Sequence, residues 1–423
     1  MNALKWLYPG MRVKRWLLIF IAGVILVALG FSMLMNRVNQ GFLGALGREL
    51  RNVDNPLPWS IIAIGAGIAA ITFGFRQVMR SVTSALLPEG DDNGKVVSIV
   101  HERRQLRRGP KIVAIGGGTG LSTLLRGIKG FTSNITAIVT VADDGGSSGK
   151  LRREMGVLPP GDIRNCLVAL ADAEPLMQKL FQYRFKGDDP PELVGHSFGN
   201  LFIATMSEIA GDFERAIKES SKILAVRGQV LPSTLEDVSL HAELEDGTTV
   251  YGESNISKSK TRIRRVFIKP EHVEPVGEAI EAIRNADIIV LGPGSLFTSV
   301  LPNLLVKGIT DEIRRTRAIK VYVCNVMTQP GETDGFTAAD HVRAILGHVG
   351  WGVIDYVLVN CGSVPEHLLE RYRKEGAQQV VADIEDIERL GLKVVKGDFI
   401  CETDFARHDP GKLARAIIKV LNG

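Results

Sequence analysis

The sequence is short of several things that would place it in a simple class. Its four cysteines, Cys166, Cys324, Cys361 and Cys401, stand far apart with no CxxC pair. That argues against a disulfide framework or a zinc cage and for reduced thiols of a cytosolic domain. Neither sign of charge dominates: 51 Lys and Arg against 47 Asp and Glu leave a formal +4. No nucleic-acid partner is expected from so even a balance. Charge is missing altogether from two runs, Trp16 to Met35 and Trp59 to Phe75. No Lys-Ser/Thr pair follows the main glycine loop, so that loop is not of the Walker type.

The two uncharged runs suit membrane spans. The first holds 20 residues, enough for a hydrocarbon core of about 30 Å. The second, of 17 residues, is rich in Gly65, Gly67, Ala69 and Ala70, small residues that let helices pack closely. No A-x-A cleavage site follows the first run, and a second run comes soon after, so a cleaved signal is not expected. Lys5, Arg12, Lys14 and Arg15 precede the first run, and Arg76 and Arg80 follow the second. The connecting loop carries Arg37, Arg48 and Arg51 with Glu49 and Asp54. Basic flanks favour both ends inside. The expectation is a multi-pass membrane anchor over residues 1–80, with spans at about 16–35 and 59–75, and a cytoplasmic C-terminal domain. Residues 81–110 read as a polar linker, centred on Pro88 to Gly94 and closed by the basic knot HERRQLRRG, which could touch anionic lipid heads.

The remainder, residues 111–423, is organised around KIVAIGGGTGL. A short apolar run ends in Gly116, Gly117, Gly118, Thr119 and Gly120 and then feeds a helical pattern. Such a junction offers open backbone N–H groups at a helix N-terminus, a site for a phosphate. The spacing departs from the dinucleotide fingerprint, because Leu121 stands at the third glycine. A second junction, LGPGSLFTS, repeats the design with Gly292, Gly294 and Ser295. Two such loops in one sheet suggest a ligand with phosphates at a topological switch point.

Between them ITAIVTVADDGGSSG ends a β-branched strand in Asp143 and Asp144, followed by Ser147 and Ser148. An acid about 20 residues past a glycine loop can bond ribose hydroxyls, while the pair could bind a divalent metal. A solvated turn has the same composition. Asp162 after Pro159-Pro160-Gly161 reads as a helix N-cap, with Arg164 and Asn165 in the first turn. His196 reads as structural, and Asn200 as a polar contact where a helix begins. Asp246-Gly247 between alternating segments marks an antiparallel hairpin, and Thr337 with Asp340 a capping box. The expected fold is α/β, a Rossmann-like doubly wound mostly parallel sheet with a small antiparallel hairpin excursion, preceded by two transmembrane helices.

Seven ordered motifs, GGGTGLS, VADDGGSSG, PPGDIRN, GHSFGN, VRGQVLP, GPGSLFTS and NVMTQPGET, resemble the YvcK-like gluconeogenesis factors, of the same superfamily as 2-phospho-L-lactate transferase (CofD). The resemblance covers Lys111 to the C-terminus; the two apolar runs are a departure from the family's soluble members. It implies a nucleotide-binding regulator, with UDP-N-acetylglucosamine the leading ligand. It also implies a role linking carbon metabolism to cell-envelope synthesis and cell shape, with protein partners there. The transferase branch implies an alternative, metal-dependent transfer of a phospholactyl group from a nucleotide diphosphate donor. By motif, Gly116 to Gly120 would face phosphates. Asp143 and Asp144 would arrange donor and metal, with Asp144 the metal candidate and Mg2+ the ion. Tyr372 would stack on a uracil ring and Arg407 pair with a diphosphate. Homo-oligomerisation and catalysis are left open.

Overall fold

The computed structural model describes residues 13–35, 56–86, 104–172, 175–187, 189–259, 261–402 and 406–423. The early basic flank at Lys5 and Arg12, the loop with Arg37, Arg48 and Arg51, and the Pro88 to Gly94 stretch lie outside the described residues. The chain forms two compact units, residues 1–103 and 104–423.

The first unit is a pair of helices, α1 (Val13–Met35) and α2 (Pro56–Leu86). Both are long and apolar enough to cross a membrane, over Arg15–Ser32 and Leu57–Arg80. Glycines set how close they come. A Cβ on Gly23 would lie 2.8 Å from the Gly67 carbonyl oxygen, and one on Gly30 would lie 2.9 Å from that of Ser60. Trp16 meets Phe73 edge-on at 5.7 Å, while Leu18, Ile21, Ile61 and Ile62 face outward. Helix α2 runs to Leu86, past the uncharged run and into the segment expected to be linker. Hydropathy marks only the apolar part of a helix, and no Gly or Pro interrupts residues 75–86 to stop this one.

The second unit is built on seven parallel strands in the order β10-β9-β8-β7-β1-β2-β3. These are β1 (Ile112–Gly116), β2 (Ile135–Val139), β3 (Gln229–Pro232), β7 (Ile288–Leu291), β8 (Ile319–Val323), β9 (Tyr356–Asn360) and β10 (Lys393–Gly397). The chain starts at the centre, steps to one edge through β2 and β3, then returns to the other side of β1. Ile112 is accordingly paired with Ile135 on one side and Ile288 on the other. Strands β1, β2 and β7 are buried throughout, as expected for parallel strands covered on both faces. This is the doubly wound order, with its switch point between β1 and β7.

The antiparallel excursion forms as expected at Asp246-Gly247, between β4 (Ser239–Leu244) and β5 (Thr249–Tyr251). Gly247 takes a left-handed φ of +82° there. The excursion is larger than a hairpin: β6 (Ile263–Lys269) pairs with β4 to complete three strands. Alternating burial along β4 explains the third strand, because one face of the ribbon must be covered. A short ribbon, β11 (Ile400–Glu402) with β12 (Ala406–His408), was not legible in the sequence. Thr337 and Asp340 make the capping box.

Helix α3 (Gly118–Ile128) crosses from β1 to β2 and packs on the C-terminal helix Pro410–Leu421. A Cβ on Gly127 would run into the Pro410 carbonyl and come within 3.1 Å of the Ala414 Cβ. Gly127→Val should therefore lower stability by about 3 kcal/mol through overpacking. A fall in the urea midpoint at constant m-value would show it; an unchanged midpoint would mean that the two helices separate freely.

Candidate functional site

The site follows from how β1 and β7 end. Past Gly116 the chain is extended at Gly117, then turns into α3 at Gly118 with φ +64°. First-turn N–H groups have no partner inside their own helix, and here they stand at the carboxyl edge of the sheet. Opposite them β7 runs into Gly292-Pro293-Gly294-Ser295. The two loops touch: a Cβ on Gly120 would lie 2.5 Å from the Pro293 oxygen and 2.9 Å from the Gly294 nitrogen. Gly118, by contrast, has open space where its Cβ would be, with only Ser299 Oγ at 3.8 Å. The close approach between the two loops that requires glycine is therefore at Gly120.

Side chains from farther along the sheet lock the second loop. Asn325 Nδ2 donates to the Gly294 carbonyl at 2.8 Å, and its Oδ1 accepts from the Gly294 N–H at 3.3 Å. Asn303 Nδ2 donates to the carbonyls of Gly116 (3.0 Å) and Ser299 (2.8 Å). Ser295 Oγ donates to Gln329 Oε1 at 2.6 Å. Between the loops lies a cleft of about 210 Å³, with Gly117 to Gly120 on one wall and Gly294 and Ser295 on the other. Arg407 and His408 of β12 also line it.

A second group, largely acidic, adjoins the cleft. Helix α4 (Gly146–Met155) starts behind Asp143-Asp144-Gly145, and α5 (Gly161–Leu170) starts behind Pro159-Pro160. The cap position of α5 is Pro160, not Asp162, which corrects the N-cap expectation. Asp162 is instead buried against Gly117, where a Cβ would collide with its Oδ2, and accepts from the Gly118 N–H. Burial, then the charge of Asp143, pushes the Asp162 carboxyl up to about 6, against the Gly118 N–H and Arg164. Burial also raises Asp143, opposed by bonds from Gly145 and Ser148. Two carboxyls from outside the glycine loops join them. Burial, then the charges of Asp143 and Glu332, pushes Glu253 up to about 8. Burial pushes Glu332 up to about 7; it is 3% exposed, and its Oε1 takes bonds from Gln329 and Thr298.

The residues singled out in the sequence divide between these places. Gly117 to Gly120, Gly294, Ser295 and Arg407 line the cleft, while Gly116 and Gly292 are neighbours at the strand ends, a Cβ on Gly116 coming to lie 3.7 Å from the Gly292 Cα. Ser147, Asn200 and His196 form one buried cluster: Asn200 Nδ2 donates to Ser147 Oγ at 3.1 Å, and Ser147 Oγ lies 3.0 Å from His196 Nδ1. Helix α6 (Phe198–Ala210) supplies Asn200, capped by Ser197, which also takes a bond from Arg164. Ser148 accepts from the Gly161 N–H at 3.1 Å. Asp144 points away to the Ser254 N–H at 2.9 Å, behind the antiparallel sheet. Tyr372 packs on a small apolar cluster that includes Val326 and Met327, which also line the cleft. The sequence reading singled out none of Asn325, Gln329, Glu332 and Glu253: the first three lie together in the NVMTQPGET motif, a signal that could have found them, while Glu253 sits just after β5 in no spacing that marks it.

Among the described residues no three His, Cys, Asp or Glu side chains gather to hold a metal ion. The donor chemistry fits a hard cation shared with a ligand's phosphates, since Mg2+ commonly keeps one or two carboxylates and completes its shell from phosphate and water. Asp143 lies close enough to Asp162 for its charge to help hold the Asp162 carboxyl above its ordinary value.

A doubly wound α/β domain with two glycine loops facing across its switch point is of the Rossmann type. Comparison narrows the class. The family model for 2-phospho-L-lactate transferase CofD matches residues 112–400. The gluconeogenesis factor of Bacillus subtilis (strain 168) is 54% identical over 314 residues, covering 74% of this chain and 98% of that one. A relative from Nostoc sp., named for the same factor, is 49% identical over 99% of this chain and 92% of its own length. A crystal structure of a UPF0052-family protein from Bacillus halodurans superposes with a TM-score of 0.71 at 52% identity, covering 73% of this chain and 99% of that one. The chain belongs to the gluconeogenesis factor family, with a CofD-type domain.

The raised carboxyls make stability depend on pH. An acid whose folded value lies above its unfolded value destabilises the fold once ionised, so that stability is lost as pH rises through the folded value. His408, pushed down to about 4 by burial, acts oppositely but only below its unfolded value. Between about pH 6.5 and 8.5 the carboxyls prevail, and stability should fall by about 2 kcal/mol. Urea unfolding at the two pH values tests this, with the fall reduced in Glu253→Gln; a flat profile would refute the buried carboxyl pair.

Proposed function

We propose that the protein is a ligand-binding regulator that holds a nucleotide sugar in the switch-point cleft, UDP-N-acetylglucosamine being the first candidate. The observation that carries the reading is the pairing of two glycine loops, with the α3 N-terminus on one and Arg407 at the rim. Backbone N–H groups at a helix start favour a diphosphate, and an arginine can bind it in a bidentate fashion. Tyr372, packed on the cluster that contains Val326 and Met327, would serve the base. The N-terminal pair of apolar helices would hold this domain at the cytoplasmic face of the cell membrane. There the regulator would report nucleotide-sugar supply to proteins of cell-envelope synthesis, linking gluconeogenic growth to cell shape.

A second reading, metal-dependent transfer of a phospholactyl-type group from a nucleotide diphosphate, is favoured by one observation. Asp143 and Asp162 stand beside the phosphate-type loop with their carboxyls held above the ordinary value by burial, their hydrogen bonds and Arg164 offsetting it only in part. These two would hold a magnesium ion, which would supply charge neutralisation to a diphosphate when bound.

Titration calorimetry on the full chain in detergent decides between them. The regulator should bind UDP-N-acetylglucosamine without magnesium and without consuming it. Gly118→Val, whose side chain would enter the cleft from a left-handed backbone, should abolish binding. Arg407→Ala should weaken it by about tenfold or more. Undiminished affinity in both variants would remove the cleft from the function. Magnesium-dependent preference for a guanosine nucleotide, lost in Asp162→Asn, would establish the transferase instead.

A further inference from the structure

The fold places its cleft at the carboxyl edge of the sheet, and a different chemistry is gathered at the opposite edge. Residues 104–111 lead into β1 there, and they are firmly pinned. Leu106 is 5% exposed, and its carbonyl accepts from the Ser133 N–H at 2.8 Å. Asn134 Nδ2 donates to the carbonyls of Arg107 (3.0 Å) and Gly109 (2.7 Å). The Lys111 N–H donates to Asp287 at 2.7 Å. Pinning the backbone leaves the side chains of Arg104, Arg107, Arg108 and Lys111 exposed together, and none of the four pairs with a carboxylate among the described residues.

The same edge adds to this patch because every crossover helix of a parallel sheet ends where the next strand begins. Arg315, in the last turn of the helix Lys307–Arg315, and Arg317 before β8 are exposed. The edge's aspartates are engaged: Asp355 accepts from the Lys320 N–H, and Asp172 pairs with Arg227. Two aromatics stand open beside the cations. Phe131, whose carbonyl abuts Gly109, is 38% exposed, and Trp351, which leads toward β9, is 60% exposed. Exposed arginines interleaved with an unpaired Phe and Trp match a surface that seats on anionic headgroups with aromatic side chains at the interface.

We propose that this amino-terminal edge of the sheet docks on anionic phospholipid of the membrane that carries the two apolar helices, leaving the cleft on the far edge open to solvent. The proposal rests on the membrane reading above. Lipid is favoured over nucleic acid because the chain enters this edge directly after the apolar unit, and because the whole protein's charge is nearly balanced. Residues 104–423 form a compact unit of their own, and the halodurans relative, 99% of whose chain this match covers, is folded on its own, so a fragment beginning at Arg104 is the piece to test.

Sedimentation of that fragment with vesicles tests the proposal. It should bind phosphatidylcholine vesicles containing phosphatidylglycerol, not pure phosphatidylcholine, and be released as salt is raised to about 0.5 M. Combined Arg104→Glu, Arg107→Glu, Arg108→Glu and Lys111→Glu should weaken binding at least roughly tenfold with the thermal melt unchanged. Phe131→Ser should weaken it further at high salt, where the electrostatic part is screened. No binding to the anionic vesicles, equal binding by the charge-reversed variant, or tighter binding to duplex RNA than to vesicles would each overturn it. The membrane reading is tested apart: the full chain, with or without the four changes, should resist carbonate extraction. Its release would sink the anchor whatever the fragment does.

Discussion

The structure depends on one close approach, that of Gly120 to Pro293 and Gly294 across the switch point. Strands β1 and β7 are neighbours in the sheet, so their trailing loops must leave the same edge side by side. Any side chain at Gly120 would hold them apart, and the cleft would lose its shape. Asn303, from the short helix just after the β7 loop, and Asn325, from the end of the neighbouring strand β8, hold the pair in place. The cleft is thus a by-product of sheet order, made specific by a missing Cβ and two amide side chains.

The acidic side of the site is a different kind of constraint. Glu332 is buried and Asp143, Asp162 and Glu253 are half-buried beside it, with few cations to offset them. Such groups are held only where the surrounding fold is stable enough to tolerate them, and they concentrate where a ligand or ion completes the charge. Asp162 joins the two halves, since it accepts from Gly118 on the cleft side and feels Asp143 on the other. Glu253 and Ser254 lie in the connection between β5 and β6 of the antiparallel sheet, so that excursion bears directly on the site and is more than a cover for one face.

The polarity of a doubly wound domain also separates tasks. Strand ends and helix starts collect at one edge, which favours anions; strand starts and helix ends collect at the other, where basic last turns and the incoming chain meet. The glycine-loop cleft and the basic edge therefore occupy opposite ends without competing for residues.

The sequence by itself determined the α/β class, the two glycine loops, the D-G hairpin, the capping box and the family likeness, because each is a local pattern of spacing and turn chemistry. It also marked the apolar runs, although the helix that contains the second one extends to Leu86 where hydropathy is silent. Only the tertiary structure decided that Gly120 is where the two loops meet with no room for a side chain. It also turned Asp162 from a supposed cap into a buried partner of Gly118, and it recruited Asn325, Gln329, Glu253 and Glu332. The reason is physical: a turn or a cap is settled by neighbours in the chain, whereas the acidity of a carboxyl and the clearance at a glycine are set by groups that arrive from distant segments when the sheet closes.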